Sequence, residues 1–255
     1  MTRARTARIL LLASALLAGG ASAAELSERT ASKLRAAMDD PARPEADRAR
    51  DRNRRPLETL EFFGFTDEMT VLELVPGGGW YTRLLAPTLA ENGRLYVSIG
   101  TRNVEENLLG TPGFDAVEVL PFDAIGEREP SRRLNIRPFS FAVDDVDLVL
   151  TFRNQHNFTE SGRAEMNRAA YGALRPGGLY GVVDHTRRHM EPDWSENWRR
   201  MDPVQMIKEI EAAGFEFVDY SDLHWRPDDE LEYEVGRASV TGNTDRFTLL
   251  FRKPD

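Results

Sequence analysis

The chain has 255 residues, a formal net charge of −9 and no cysteine. The missing cysteine excludes disulfides, thiolate metal sites and a thiol nucleophile. The acidic balance argues against nucleic acid or an anionic membrane as the main partner, and the length suits one large domain with a full core.

Arg3, Arg5 and Arg8 precede the apolar run Ile9–Ala18 and a small-residue ending, Ala21-Ser22-Ala23. That order predicts a secretory signal peptide over residues 1–23, cleaved after Ala23. The run falls short of the roughly 20 apolar residues of a membrane span. A periplasmic or secreted protein without membrane attachment after cleavage is therefore expected. Removing the three leader arginines takes the charge from −9 to −12. Residues 24–55 read as a charged lead-in. Leu26, Leu34 and Met38 stripe one short helix, and Asp39 to Arg55 mixes Pro41 and Pro44 with arginines and acids. Arg52, Arg54 and Arg55 fit a solvated charge run better than an anion site.

Residues 56–255 read as one α/β domain. Pro56 suits a helix start, with Leu57, Leu60 and Phe63 at helical spacing and Gly64 as its end. Val71 to Val75 is a buried strand, followed by Pro76-Gly77-Gly78-Gly79 and a helix beginning at Trp80. Three glycines let a ligand approach the backbone, and the helix N-terminus offers unpaired N–H groups there. Glu73, before the turn, suits a ligand carrying a cation or donors. A glycine-rich connection without a ligand is the competing reading.

A helix to Leu89, a strand over Leu95–Ile99 and a helix around Val104–Leu109 follow. Ala116–Phe122 alternates as a strand ending at Asp123, and Ala124–Ala142 is a polar excursion long enough for a flap. Val146–Phe152 is the next strand, then a helix over Gly162–Leu174 and a strand over Leu179–Val183. Asp202-Pro203-Val204-Gln205 starts a capped helix with Val204, Ile207 and Ile210 inward, closed by Gly214. Phe215–Tyr220 and Phe247–Phe251 are the last strands. The alternation predicts a mostly parallel seven-stranded sheet with helices on both faces. Ligands bind such sheets at the strands' carboxyl ends. Glu73, Asp123, Asn154, His156, Asp184 and His185 all fall there, which is the main argument from the residues for a site.

His156 and His185 are the candidate bases, because imidazole titrates near neutral pH. Asp184 could orient one ring or cap the loop, and His156 could simply bond its own neighbours. His185 and His189, with Asp184 and His156, could meet a metal on a helix. Arg187, Arg188 and Pro192 argue against that helix, so no metal ligand is assigned. His224, between a strand end and Trp225, reads as packing. Trp80 and Tyr81 either line a pocket or cover the sheet. Arg153 and Asn154 are polar groups at a strand end.

Val71–Thr82, Asp147–Asn157, Leu174-Arg175-Pro176-Gly177-Gly178, Val183-Asp184-His185 and Asp245–Leu249 carry a resemblance. Over residues 56–255 the chain resembles the class I S-adenosylmethionine-dependent methyltransferases, and within them a branch of exported proteins. The resemblance implies a Rossmann-like methyltransferase fold and S-adenosylmethionine as cofactor. Glu73, Gly77, Gly78, Gly79 and Trp80 would hold it, with Asp123 near the adenine. Arg153 and Asn154 would face the substrate, and His156, Asp184 and His185 would be catalytic. The implied reaction is direct methyl transfer to an O, N or S atom of a small molecule. Two departures stand out: Val75 occupies the family's first glycine position, and Ser98-Ile99-Gly100-Thr101 lacks the acid that usually ends the second strand. A binding module that kept the fold, or a metal-assisted hydrolase, remain the alternatives.

Overall fold

The computed structural model describes residues 26–255, so the expected leader over residues 1–23 lies outside the described residues. The lead-in forms helices α1 (Glu28–Asp39), α2 (Glu45–Arg48) and α3 (Asp51–Arg54), and α4 is Pro56–Phe62. Strand β1 (Thr70–Leu74), α5 (Thr82–Leu89), β2 (Arg94–Ser98), α6 (Arg102–Asn107) and β3 (Glu118–Val119) follow. A small hairpin, β4 (Ile125–Arg128) and β5 (Leu134–Ile136), precedes β6 (Val146–Phe152). The chain ends with α7 (Glu160–Ala173), β7 (Leu174–His185), α8 (Pro203–Glu211), β8 (Glu216–Ser221) and β9 (Arg246–Arg252).

The main sheet has seven strands in the order β3-β2-β1-β6-β7-β9-β8. The first five are parallel, and β9 runs antiparallel to both its neighbours. Helices cover both faces, so β1 is buried at every position after Thr70, as a doubly covered strand must be. Its side chains alternate. Leu72 and Leu74 pack with Met166 of α7 and Ile210 of α8. Val71 packs with Leu34 of α1, Leu60 of α4 and Leu84 of α5. Glu73 shares the parity of Val71 and therefore faces the α5 side.

Three expectations are revised. The strand over Ala116–Phe122 shortens to Glu118–Val119, because this edge strand pairs only at Tyr96 and Val97 and Pro121 has no N–H to extend the ladder. The excursion over 124–142 contains the β4–β5 hairpin, whose Leu134 carbonyl accepts from Thr159 N–H at 3.0 Å. On α8 the inward residues are Met206 and Ile210, whereas Val204 is 39% exposed. Asp202 caps that helix through Val204 N–H at 2.9 Å, as the Asp-Pro start predicts. Among the described residues no helix is long and apolar enough to cross a membrane.

Candidate functional site

The strand order reverses beside β1, whose neighbours are β2 and β6. Loops leaving these strands diverge and open a crevice at their carboxyl ends. The residue following each strand has a left-handed backbone: Val75 at φ 53°, Ile99 at φ 64° and Arg153 at φ 62°. For β-branched Val75 and Ile99 this is unfavourable, at about 1–3 kcal/mol per residue. Specific bonds hold the turns. Val75 N–H donates to Ser98 O at 2.9 Å and Arg153 N–H to Val183 O at 2.6 Å. The Asn154 side-chain amide donates to Val75 O at 3.1 Å and Phe152 O at 3.0 Å, joining the β1 and β6 ends.

Glu73 lies beneath the glycine turn and is 2% exposed. Its side-chain partner among the described residues is Thr82 Oγ1, which donates to Oε2 at 2.6 Å. Burial raises its pKa to about 7; the Thr82 bond and the Arg54 charge only partly offset this. A cation or further donors beside this carboxyl would favour its charged form. The glycines divide in role. A Cβ on Gly77 or Gly78 would meet nothing within 4 Å, whereas one on Gly79 would fall 2.7 Å from Leu108 and 3.0 Å from Val104. Gly77 and Gly78 thus face open space, and Gly79 lets the α6 region pack on the turn. Glu73, Val75, Gly77, Gly78, Phe152, Arg153 and Asn154 line a cavity of about 180 Å³.

The lead-in roofs this cavity, contrary to the expectation of a solvated run. Asp47, Arg50 and Arg54 complete its wall. Trp80 fastens the roof: its indole N–H donates to Asp47 O at 3.0 Å. The guanidiniums of Arg54 and Arg43 lie 4.3 and 4.9 Å from its ring centroid. Tyr81 stacks on Phe152 with centroids 3.5 Å apart. Arg54 is buried, while Arg52 stays exposed and Arg55 half-buried. Charged segments cover a pocket when aromatic rings below them accept cations, and sequence spacing did not reveal that pairing.

A second cavity, of about 320 Å³, adjoins the first and shares Arg50, Arg54 and Arg153 with it. Asn53, Thr241, Gly242 and Arg246 complete its lining. The first cavity alone is below the roughly 300–1,000 Å³ usual for small-molecule sites; together they reach that range.

His156, Asp184 and His185 come together, but none lines either cavity. Asp184 is fully buried. Its Oδ1 meets His156 Nδ1 at 2.7 Å and accepts from His185 N–H at 2.7 Å; its Oδ2 accepts from His156 N–H at 3.0 Å. His185 Nδ1 meets Thr244 Oγ1 at 2.8 Å, and burial followed by the neighbouring His156 lowers its pKa well below the usual value. The trio clamps the β6 and β7 ends behind the cavity wall. His189 turns away to Asp202 at 2.9 Å. His224 packs between Thr248 and the Arg54 carbonyl, at 2.7 and 3.0 Å. Among the described residues no group of three or more His, Asp or Glu is arranged to hold a metal ion. Asp123 is exposed and outside both cavities. Ser98 is buried and donates to Leu120 O at 3.1 Å, so it is spent inside the sheet.

No protein-family model matches the chain, and no curated protein matches it. Solved structures do. A SAM-dependent methyltransferase from Aquifex aeolicus is similar at TM-score 0.56 and 18% identity, over 87% of this chain and 97% of that one. A putative methyltransferase complexed with the Trm112 activator of Haloferax volcanii follows at TM-score 0.53 and 17% identity, over 87% and 97%. The chain has the Rossmann-like methyltransferase fold. The [4+2]-cyclase SpnF is also similar, at TM-score 0.50 and 16% identity, over 89% and 93%. The methyltransferase fold therefore carries more than one chemistry, and the site must argue the function.

Within the methyltransferase fold, sequence reasoning missed Asp47, Arg50, Phe152 and Arg246 as wall residues. Arg246 was signalled only by its place at the start of the last strand, in Asp245-Arg246-Phe247. Asp47 and Arg50 carry no local signal, because α2 and α3 are four-residue helices in a stretch that reads as exposed.

Proposed function

We propose that this protein binds S-adenosylmethionine and transfers its methyl group to an O, N or S atom of a small molecule. The observation that carries this reading is Glu73: a buried carboxyl with a raised pKa, aimed into a cavity beneath a glycine turn, on the methyltransferase fold. The cofactor supplies an electrophilic methyl on a positively charged sulfur. Glu73 would balance positive charge or accept donors from the methionine part, and Gly77 and Gly78 leave the room it needs. The strained turns at Val75 and Arg153 would keep the wall in a fixed geometry, which is where alignment lowers a displacement barrier. The acceptor would sit in the adjoining arginine-lined cavity. His156, Asp184 and His185 would position the β6 end and not exchange protons with substrate, since they lie behind the wall.

Titration calorimetry with S-adenosylmethionine and S-adenosylhomocysteine tests this. Micromolar binding to the native chain, weakened about a hundredfold or more in Glu73→Ala and Gly78→Val, is expected. A Cβ at Gly78 meets no protein atom within 4 Å, so that variant should fold and simply fill the site. Absence of binding to folded native protein overturns the reading.

A second reading, a ligand-binding protein without transfer, draws support from the β2 end. Ser98 is engaged with Leu120 there, and the next carboxylate along the chain, Glu105, is exposed and bonded by Thr101. Binding without conversion of the cofactor in the presence of periplasmic extract would favour it. Export itself is proposed from the leader's pattern; fractionation and N-terminal sequencing of the native protein, expected to begin at Ala24, test it.

A further inference from the structure

Four arginines from distant parts of the chain meet at the second cavity. Arg50 and Arg54 come from the lead-in, Arg153 from the β6 end and Arg246 from the start of β9. The other lining residues are Asn53, Thr241 and Gly242, so no carboxylate lines this space. In a chain of net charge −9, such a group of like charges is held against its own repulsion.

Among the described residues three of the four have no ionic partner, and Arg50 alone faces one, Asp47. Arg246 is 6% exposed and, among the described residues, donates to two carbonyls, Asn53 O at 3.1 Å and Gly242 O at 3.4 Å. Its Nε is buried with no hydrogen-bond partner among the described residues. Arg54 is also 6% exposed, and its guanidinium rests on the Trp80 ring. Among the described residues neither Arg54 nor Arg153 gains a side-chain hydrogen bond or a salt bridge. Arg50 has Asp47 at 3.8 Å, beyond hydrogen-bonding distance. Burial first, then the neighbouring arginines, pulls Arg54 down to about 8, Arg246 to about 9 and Arg153 to about 10. Arginine does not ordinarily give up its proton in proteins, so a counter-anion is the available relief.

We infer that the second cavity binds an oxyanion, so that the methyl acceptor is a small molecule bearing a carboxylate or phosphate group. This rests on the proposed methyl-transfer reading for the word acceptor; the anion site itself stands on the arginines. Planar guanidiniums match both groups through paired N–H donors. Arg153 and Arg246 would grip the anion from the protein body, and Arg50 and Arg54 from the roof. The remainder of the acceptor would then point toward the first cavity across the shared wall.

The test uses calorimetry on the purified native chain with inorganic phosphate and with malonate, at constant chloride-balanced ionic strength. S-Adenosylhomocysteine is titrated in parallel. At least one anion is expected to bind with a sub-millimolar Kd. Arg246→Gln should weaken it about tenfold or more, with S-adenosylhomocysteine binding changed less than about threefold. Arg246→Lys, which keeps a cation but loses the paired guanidinium donors, gives the same test where Arg246→Gln fails to fold. Preference for phosphate or malonate separates the two oxyanion classes. Two results overturn the inference. One is no anion binding by protein that still binds S-adenosylhomocysteine. The other is competition between anion and S-adenosylhomocysteine, with both lost in Arg246→Gln, which would assign the arginines to the cofactor's own carboxylate. Anion binding without S-adenosylhomocysteine binding would instead retire the methyl-transfer reading and leave the anion site intact.

Discussion

At the scale of single residues the most informative group is Glu73. Folded protein holds its proton up to about pH 7, whereas the unfolded chain releases it near the ordinary glutamate value of 4.5. Between these values the folded state binds more protons, so this group makes stability fall as pH rises and adds no further slope above about pH 7. Glu73→Gln should therefore stabilise the unliganded protein by roughly 2–3 kcal/mol near pH 8, with little effect near pH 4, in urea denaturation at each pH. The same substitution should weaken cofactor binding. A variant that is more stable and less able to bind marks a functional residue. His224 has the opposite sign. Burial lowers its pKa to about 4 from 6.5, so its contribution is present above the unfolded value and is lost as pH falls toward 4. His224→Gln should flatten the acid side of the stability curve between those two values.

At the scale of elements, the lead-in is the least expected part of the molecule. Helix α1 is anchored at Asp67, which accepts from Thr30 Oγ1 at 2.8 Å and pairs with Lys33 at 2.9 Å and Arg29 at 3.0 Å. Burial opposes the charge, yet the Lys33, Thr30 and Arg29 bonds hold that carboxyl at about 2. Helices α2 and α3 hang instead on Trp80. Trp80→Ala removes a buried ring and the platform for Arg43 and Arg54, an expected loss of about 3–5 kcal/mol. Trypsin should then cut first between residues 43 and 55, faster than in the native protein, as mass spectrometry of a limited digest would record. The loops after β7 and β8 have their own clasp. Arg200 and Asp229 are fully buried and joined by two bonds of 2.9 Å. Asp229 also accepts from Asp245 N–H at 2.6 Å, beside the arginine-bearing start of β9. Asp229→Ala leaves a buried guanidinium unpaired and should cost about 3–5 kcal/mol in thermal or denaturant unfolding.

For the whole molecule, the sheet was legible because its central strands are covered on both faces and read as short apolar runs between helical patterns. The strand ends were legible too: Glu73, Gly77, Gly78, Arg153 and Asn154 all reach the first cavity. What the pattern hid was depth and distance. His156, Asp184 and His185 sit at the correct edge of the sheet but behind its wall, a matter of which way side chains turn after the strand. The pocket's roof was hidden for another reason. Periodicity reports which face of a helix is apolar, whereas Arg43, ahead of α2, and Arg54 of α3 are buried over the Trp80 ring instead. Edge strand β3 was overread because alternation persists after pairing stops at Pro121.

The hydrogen bond from Arg246 to Asn53 O spans 193 positions of the chain. Contacts of such long separation form more slowly than local ones, so the arginine pocket is expected to assemble after the local helices and turns. It also brings together like charges, which oppose the final docking step. An oxyanion present during refolding would remove that opposition. Phosphate should therefore speed refolding of this protein more than chloride at equal ionic strength, and an oxyanion would act as a folding partner before it acts as a ligand.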